Sequence, residues 1–159
     1  MSLIIGIDPG KSGGIAWSDG ATVESFGMPQ SDIEIIDDLR ELGNQSFLNN
    51  GTRPPCVFLE KVGGFIGKPQ PGSAMFKFGR GYGFLMGAML SMGWEIHLVT
   101  PQKWQKALSL GKRGERSPVE WKRHLKDEAA RLFPSQKVTL KTADALLILR
   151  YAKEFGGTD

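Results

Sequence analysis

The chain has 159 residues, of which 40% are hydrophobic, and 20 Lys or Arg stand against 17 Asp or Glu for a net charge of +3. That length suits a single domain over residues 1–159 with a core of useful size. No apolar run approaches the ~20 residues of a membrane span. The start carries no basic region followed by an apolar stretch, so no signal peptide is expected. The lone Cys56 excludes a disulfide framework, fits a reducing compartment and reads as a small core residue.

Residues 3–8, Leu-Ile-Ile-Gly-Ile-Asp, predict a strand that stops at one carboxylate. The turn Pro9-Gly10-Lys11-Ser12-Gly13 predicts a return through residues 14–17 and a third strand over 22–26, an antiparallel meander. Ser31-Asp-Ile-Glu34 is a capping box that opens a helix to about Leu42. Residues 43–55 are expected to form a polar loop. Cys56-Val-Phe-Leu-Glu60 is a second apolar run ending at an acid. A Gly/Pro-rich connector follows, and Ser73 is expected to cap a helix to about Met92.

That helix holds Gly79, Gly81, Gly83 and Gly87. Each costs about 1 kcal/mol relative to Ala in a helix, so close approach of another backbone is expected, with one face as a subunit interface. Residues 94–99 predict the fifth strand. Thr100-Pro101 predicts a cap and first helical residue for a short helix. Residues 109–116 read as a basic loop. Ser117-Pro118 opens a helix ending near Phe133-Pro134, and the last helix runs from about Thr142 to Glu154. The order of elements predicts an α/β fold with a mixed sheet.

The charge is unevenly placed. Residues 1–60 carry nine acids and three bases, whereas residues 61–126 carry twelve bases against Glu95, Glu115 and Glu120, a net +9. Aromatic residues are interleaved with these bases, among them Phe65, Phe76, Phe78, Tyr82, Trp104 and Trp121. Such a field attracts polyanions, nucleic acid first.

Buried carboxylates are costly unless paired or bound to metal. Asp8 and Glu60 each end an apolar strand, and Asp144 opens the apolar helix Ala-Asp-Ala-Leu-Leu-Ile. Singly, Asp8 could start a Pro-Gly turn and Asp144 could complement a helix dipole. Together they suggest one metal site. Oxygen donors without a Cys/His cluster favour Mg²⁺ or Mn²⁺. His97 and His124 show no ligand spacing and read as structural or surface residues. No suitably paired Ser or Cys nucleophile is visible.

Ile5-Gly-Ile-Asp8-Pro-Gly10, Phe58-Leu-Glu60, Val99-Thr-Pro101-x-x-Trp104 and Ala143-Asp144-Ala-Leu resemble, in order, the motifs of RuvC-type Holliday-junction resolvases. Met75-Phe-Lys-Phe-Gly79-Arg-Gly-Tyr82-Gly resembles a segment of their phage and organellar relatives. The resemblance implies an RNase H-like fold, a homodimer and Mg²⁺-dependent paired nicking of four-way DNA junctions, without a small-molecule cofactor or membrane. It implies that Asp8, Glu60 and Asp144 are catalytic metal ligands. It implies too that Lys122, matching a basic residue ahead of the last acid, is catalytic, contacting the scissile phosphate or stabilising charge in the transition state. The implied setting is the cytoplasm of a bacterium or phage-infected host, or an organelle.

Candidate nucleic-acid contacts are Lys11, Phe65, Lys68, Lys77, Arg80, Lys103, Lys112, Arg113, Arg116, Lys122 and Lys141. Phe65 is the first choice for stacking on exposed bases. Phe76 and Tyr82 read instead as core or interface packing residues. One departure from the family pattern matters. Many members carry an acid or His three residues before the last Asp, where this chain has Lys141. Three readings stay open: a fourth ligand from Asp127 or Glu128, a loosely held second metal, or a weak or inactive nuclease. The functional alternatives are therefore a junction-binding protein with little nuclease activity, or a nuclease of the same fold acting on structured RNA.

Overall fold

The computed structural model describes residues 3–51, 53–63 and 71–156. Five strands form one mixed sheet: β1 (Ile4–Asp8), β2 (Gly14–Ser18), β3 (Val23–Gly27), β4 (Cys56–Glu60) and β5 (Glu95–Val99). Their order across the sheet is β3-β2-β1-β4-β5. β1, β2 and β3 form the antiparallel meander. β4 and β5 extend it in parallel from β1. Helices flank the sheet: α1 (Asp32–Asn50), α2 (Gly72–Ser91), α3 (Pro101–Ala107), α4 (Pro118–Leu132) and α5 (Ala143–Phe155). The sheet, its strand boundaries and the helix order follow the sequence expectation of an α/β, RNase H-like fold.

Side chains alternate between the two faces of a strand, so each run of apolar residues serves two cores. Ile5, Ile7, Val57 and Leu59 pack with Leu39, Leu42, Leu85 and Met89 of α1 and α2. Ala16, Phe58 and Val99 pack on the opposite face with Trp104, Leu125 and the run Ala145–Leu149. Every residue of α5 from Ala143 to Leu149 is buried. The backbone of α5 lies directly on β1: a Cβ at Gly6 would stand 2.5 Å from both Ala145 O and Leu149 N. Only glycine leaves room for that approach, and it is what delivers the start of α5 to the end of β1.

Two helical expectations need correction. α1 does not stop near Leu42 but continues to Asn50, through part of the expected loop. Gly43 packs against Trp94 and buried Ser46 donates to Arg53 O at 2.9 Å, so these small polar residues belong to an inner face. α2 starts at Gly72 after Pro71, with no side-chain cap from Ser73. Its Gly79, Gly81, Gly83 and Gly87 have nothing within 4 Å of a Cβ position, so no other described part of this chain closes on them. No helix among the described residues is long and apolar enough to cross a membrane.

Candidate active site

β1 and β4 run parallel with Ile7 opposite Leu59. The next rung therefore sets Asp8 beside Glu60 on the same face, at the strand spacing of about 4.8 Å. That face is the one α5 covers. Asp144, in the first turn of α5, is 5% exposed and arrives beside both through the Gly6 contact. Lys122, on α4, pairs its Nζ with Asp144 Oδ2. Glu60 accepts a 3.1 Å hydrogen bond at Oε2 from the indole Nε1 of fully buried Trp104. α3 brings that indole in because Thr100 caps it, accepting from Lys103 N at 3.2 Å, with Pro101 at its first position.

The cluster holds more negative charge than its surroundings stabilise. Burial, then the charges of Asp144 and Glu60, push the Asp8 carboxyl up to about 8, with Lys122 opposing. Burial and then Asp144 push Glu60 up to about 7, against the Trp104 hydrogen bond and Lys122. Burial works against the Lys122 ammonium, but Asp144, Asp8 and Glu60 outweigh it and hold that group above its ordinary value. Asp144 Oδ1 is buried and has no hydrogen-bond partner among the described residues. An acceptor left bare at such cost, beside two carboxyls driven up by burial and by the charge of Asp144, fits a hard divalent cation. Asp8, Glu60 and Asp144 do not bring one oxygen each within 4.8 Å of one another, and Lys122 supplies the counter-charge on Asp144.

Two clefts flank Asp8. One, of about 570 Å³, is lined by Asp8, Glu60, Val62, Phe78, Thr100 and Gln102. The other, of about 430 Å³, is lined by Asp8, Gly10, Lys11, Phe78, Lys122 and Lys141. Lys11, Lys122 and Lys141 thus meet beside Asp8, and the Lys141 stem lies over Gly27. Lys141 occupies the cleft, whereas Asp127 and Glu128 line neither cleft. Glu128 pairs instead with Arg131 at 2.8 Å.

Other expected contacts are placed differently. Arg80 pairs with Asp32 at 2.6 Å, which ties α2 to α1. Lys77 lines a separate groove with Lys11, Met28 and Arg80. Lys103 lies in the first turn of α3. In the basic loop, Arg113 Nε donates to Arg116 O at 2.9 Å and Arg116 donates to Lys112 O at 3.0 Å. The Arg116 guanidinium also sits 5.7 Å from the centre of the Trp121 ring. His124 bonds Leu110 O at 2.8 Å and stacks on Trp121, anchoring this loop to α4. Phe65 and Lys68 lie outside the described residues. Phe76 is exposed rather than packed within this chain. Tyr82 is half-buried and its hydroxyl reaches Glu60 O at 3.5 Å.

Sequence reasoning passed over two features. Phe78 walls both clefts, with its ring 2.9 Å from the Cβ position of Gly10, whose φ of +96° suits glycine. Its place in a basic-aromatic run was the only signal. The expectation of no Cys/His cluster is also overturned. Cys56, Glu95 and His97 present donor atoms that all lie within 4.8 Å of one another, the one such set among the described residues. The parallel register of β4 and β5 joins them, with Cys56 opposite Glu95 and Phe58 opposite His97.

No protein-family model matches the chain. No curated protein matches its sequence. Among solved structures, it is similar to RuvC of Thermus thermophilus, with a TM-score of 0.60 and 19% identity, over 97% of this chain and 96% of that one. It is similar also to T. thermophilus RuvC in complex with Holliday junction substrate, with a TM-score of 0.61 and 18% identity, over 98% and 97% of the two chains. At these identities the likeness establishes a shared fold along nearly the whole chain.

Proposed function

We propose that this protein is a structure-selective DNA endonuclease that makes paired nicks at four-way junctions by metal-dependent phosphodiester hydrolysis. The observation that carries the reading is the convergence of Asp8, Glu60, Asp144 and Lys122, with Asp8 and Lys122 opening into a lysine-lined cleft. Asp8, Glu60 and Asp144 would hold Mg²⁺, or Mn²⁺ as a substitute. The ion would supply Lewis-acid polarisation of the phosphoryl group and a more acidic water. Trp104 fixes the orientation of Glu60. Lys122 offsets charge at the phosphate, and Lys141 and Lys11 attract the phosphate backbone into the cleft. The RuvC complex with a Holliday junction substrate supports branched DNA as the ligand class.

A homodimer belongs to this reading, because paired nicks need two centres. The glycine-bearing face of α2, with Phe76 and Leu90 exposed, is the surface we assign to it. The test is cleavage of a mobile four-way junction with Mg²⁺ and Mn²⁺ separately, with nicks mapped on each strand and structured RNA as competitor. Symmetric nicks that disappear in Asp8→Asn, with junction binding retained, are expected. Full cleavage by that variant would sink the metal assignment. Lys141 beside the acids supports a second reading, a junction-binding protein with weak or no nuclease activity. Tight binding without nicks under either ion would favour it.

A further inference from the structure

At the end of β4 opposite Glu60 lies a donor set of different chemistry. Cys56 Sγ, a Glu95 carboxylate oxygen and a His97 ring nitrogen lie within 4.8 Å of one another. Partners in a parallel ladder point to the same face, as do residues two apart on one strand. Cys56, Glu95 and His97 therefore share a face by register rather than by chance side-chain rotation. His97 Nε2 stands 2.9 Å from Glu95 Oε1. Its ring is stacked on Phe58 at 4.9 Å between centres and 21° between planes. Phe58 is itself buried against Tyr151, so the core fixes the plane of the imidazole. Cys56 is half-buried at the rim of the same core.

We propose that Cys56, Glu95 and His97 form a second metal site, for a borderline-soft divalent transition ion such as Zn²⁺. One thiolate, one imidazole and one carboxylate make a donor set that suits Zn²⁺ and not Mg²⁺. Tetrahedral ligation at ordinary Zn–S and Zn–N lengths asks for donor separations of about 3.5 Å. A modest adjustment of the Glu95 side chain, which is 65% exposed, and of Cys56 about its own χ1 closes that difference around the fixed imidazole. The same exposure leaves the fourth position to water. Cys56 lies four residues from Glu60, about 13 Å along the strand, and the Phe58 ring fills the space between. The two centres therefore share no ligand.

The site's consequence is mechanical. β5 is one of the sheet's two edge strands, and it leads through Thr100 into the helix whose Trp104 holds Glu60. An ion bridging Cys56 to Glu95 and His97 would pin that edge to β4.

The test needs no DNA, so its outcome is independent of the nuclease reading. The full chain, stripped with a chelator and kept reduced with a phosphine, is titrated with Co²⁺. A thiolate-to-cobalt charge-transfer band and intense visible bands of four-coordinate Co²⁺ are expected, rising together to a common saturation. Zn²⁺ should erase both bands, and a large excess of Mg²⁺ should not. Cys56→Ser should lose the charge-transfer band, and His97→Gln should weaken Zn²⁺ binding at least tenfold. Asp8→Asn should keep the full spectrum. Zn²⁺ should also raise the Tm of the wild type but not of Glu95→Gln, an exposed substitution that leaves the fold intact. No charge-transfer band in the folded wild type, an unchanged spectrum in His97→Gln, or loss of the spectrum in Asp8→Asn would overturn the proposal.

Discussion

The indole Nε1 of Trp104 donates to Glu60 Oε2 across 3.1 Å, from a side chain with no exposed surface. The bond links the short helix after the edge strand to the acidic end of β4. It favours the ionised carboxyl, against burial and Asp144, which push Glu60 up to about 7. Trp104→Phe keeps an aromatic ring and removes the donor. A hydrogen bond to a charged group contributes about 1.5–3 kcal/mol. Junction nicking should therefore fall on the order of tenfold or more at neutral pH. The diagnostic readout is the pH–rate profile, whose acid limb should move to higher pH. A Tm loss with an unmoved profile would mean that Trp104 only fills space.

The carboxyls set a pH dependence whose sign is opposite to that of ordinary ion-paired acids. Asp8 is pushed up to about 8 from 3.8, and Glu60 to about 7 from 4.5. Between those values the folded chain holds protons that the unfolded chain has released. This contribution to stability is therefore full below the unfolded values and is lost as pH rises through about 7 to 8. The metal-free protein should melt lower at about pH 9 than at about pH 6. Mg²⁺ should restore the Tm most at the higher pH, because binding competes with protons. Asp8→Asn should flatten the Tm profile. Thermal melts with and without Mg²⁺ check this, and a metal-free Tm that rises over the interval would contradict it.

Gly6 carries the geometry by which Asp144 reaches Asp8. A methyl group there meets two backbone atoms at 2.5 Å, and neither can rotate away. Overpacking of this kind costs about 1–3 kcal/mol or more. Gly6→Ala should lower the Tm and displace the start of α5, so that nicking falls further than stability alone accounts for. Gly79→Ala is the control in the isolated chain: nothing lies within 4 Å of its Cβ position, and Ala gains about 1 kcal/mol in a helix. Calorimetry on both variants, with a single-turnover nicking rate on Gly6→Ala, checks this.

The sequence made legible those features that local pattern controls. The apolar runs ending at Asp8 and Glu60 became neighbouring strands, and the capping box at Ser31 opened α1. Asp144 could be picked out because an acid inside an otherwise apolar helix is conspicuous. Features that depend on register or on tertiary contacts were hidden. α1 runs past Leu42, and there buried Ser46 has Arg53 O as its partner, a tertiary contact that no propensity at Ser46 foretells. Cys56 and His97 lie forty-one positions apart and meet only through the β4–β5 pairing. Arg80, one base among many in the sequence, is committed to Asp32.

Lys141 is the residue that most sharply separates catalysis from simple binding. Its side chain shares a cleft with Asp8 and Lys122, and its stem is braced over Gly27. A cation so placed draws in a phosphate but adds no ligand for a metal. Lys141→Ala should weaken junction binding and reduce the slope of log affinity against log salt by about 0.9, the value for one phosphate contact. The substitution is exposed and should leave the Tm unchanged. Lys141→Glu should bind junctions more weakly still, yet take up Mg²⁺ more tightly by adding an oxygen donor beside Asp8. Salt-dependent binding and calorimetric Mg²⁺ titration read the two effects separately. If Lys141→Ala leaves the salt slope intact while nicking collapses, the ammonium acts on the reacting phosphate rather than on the backbone around it.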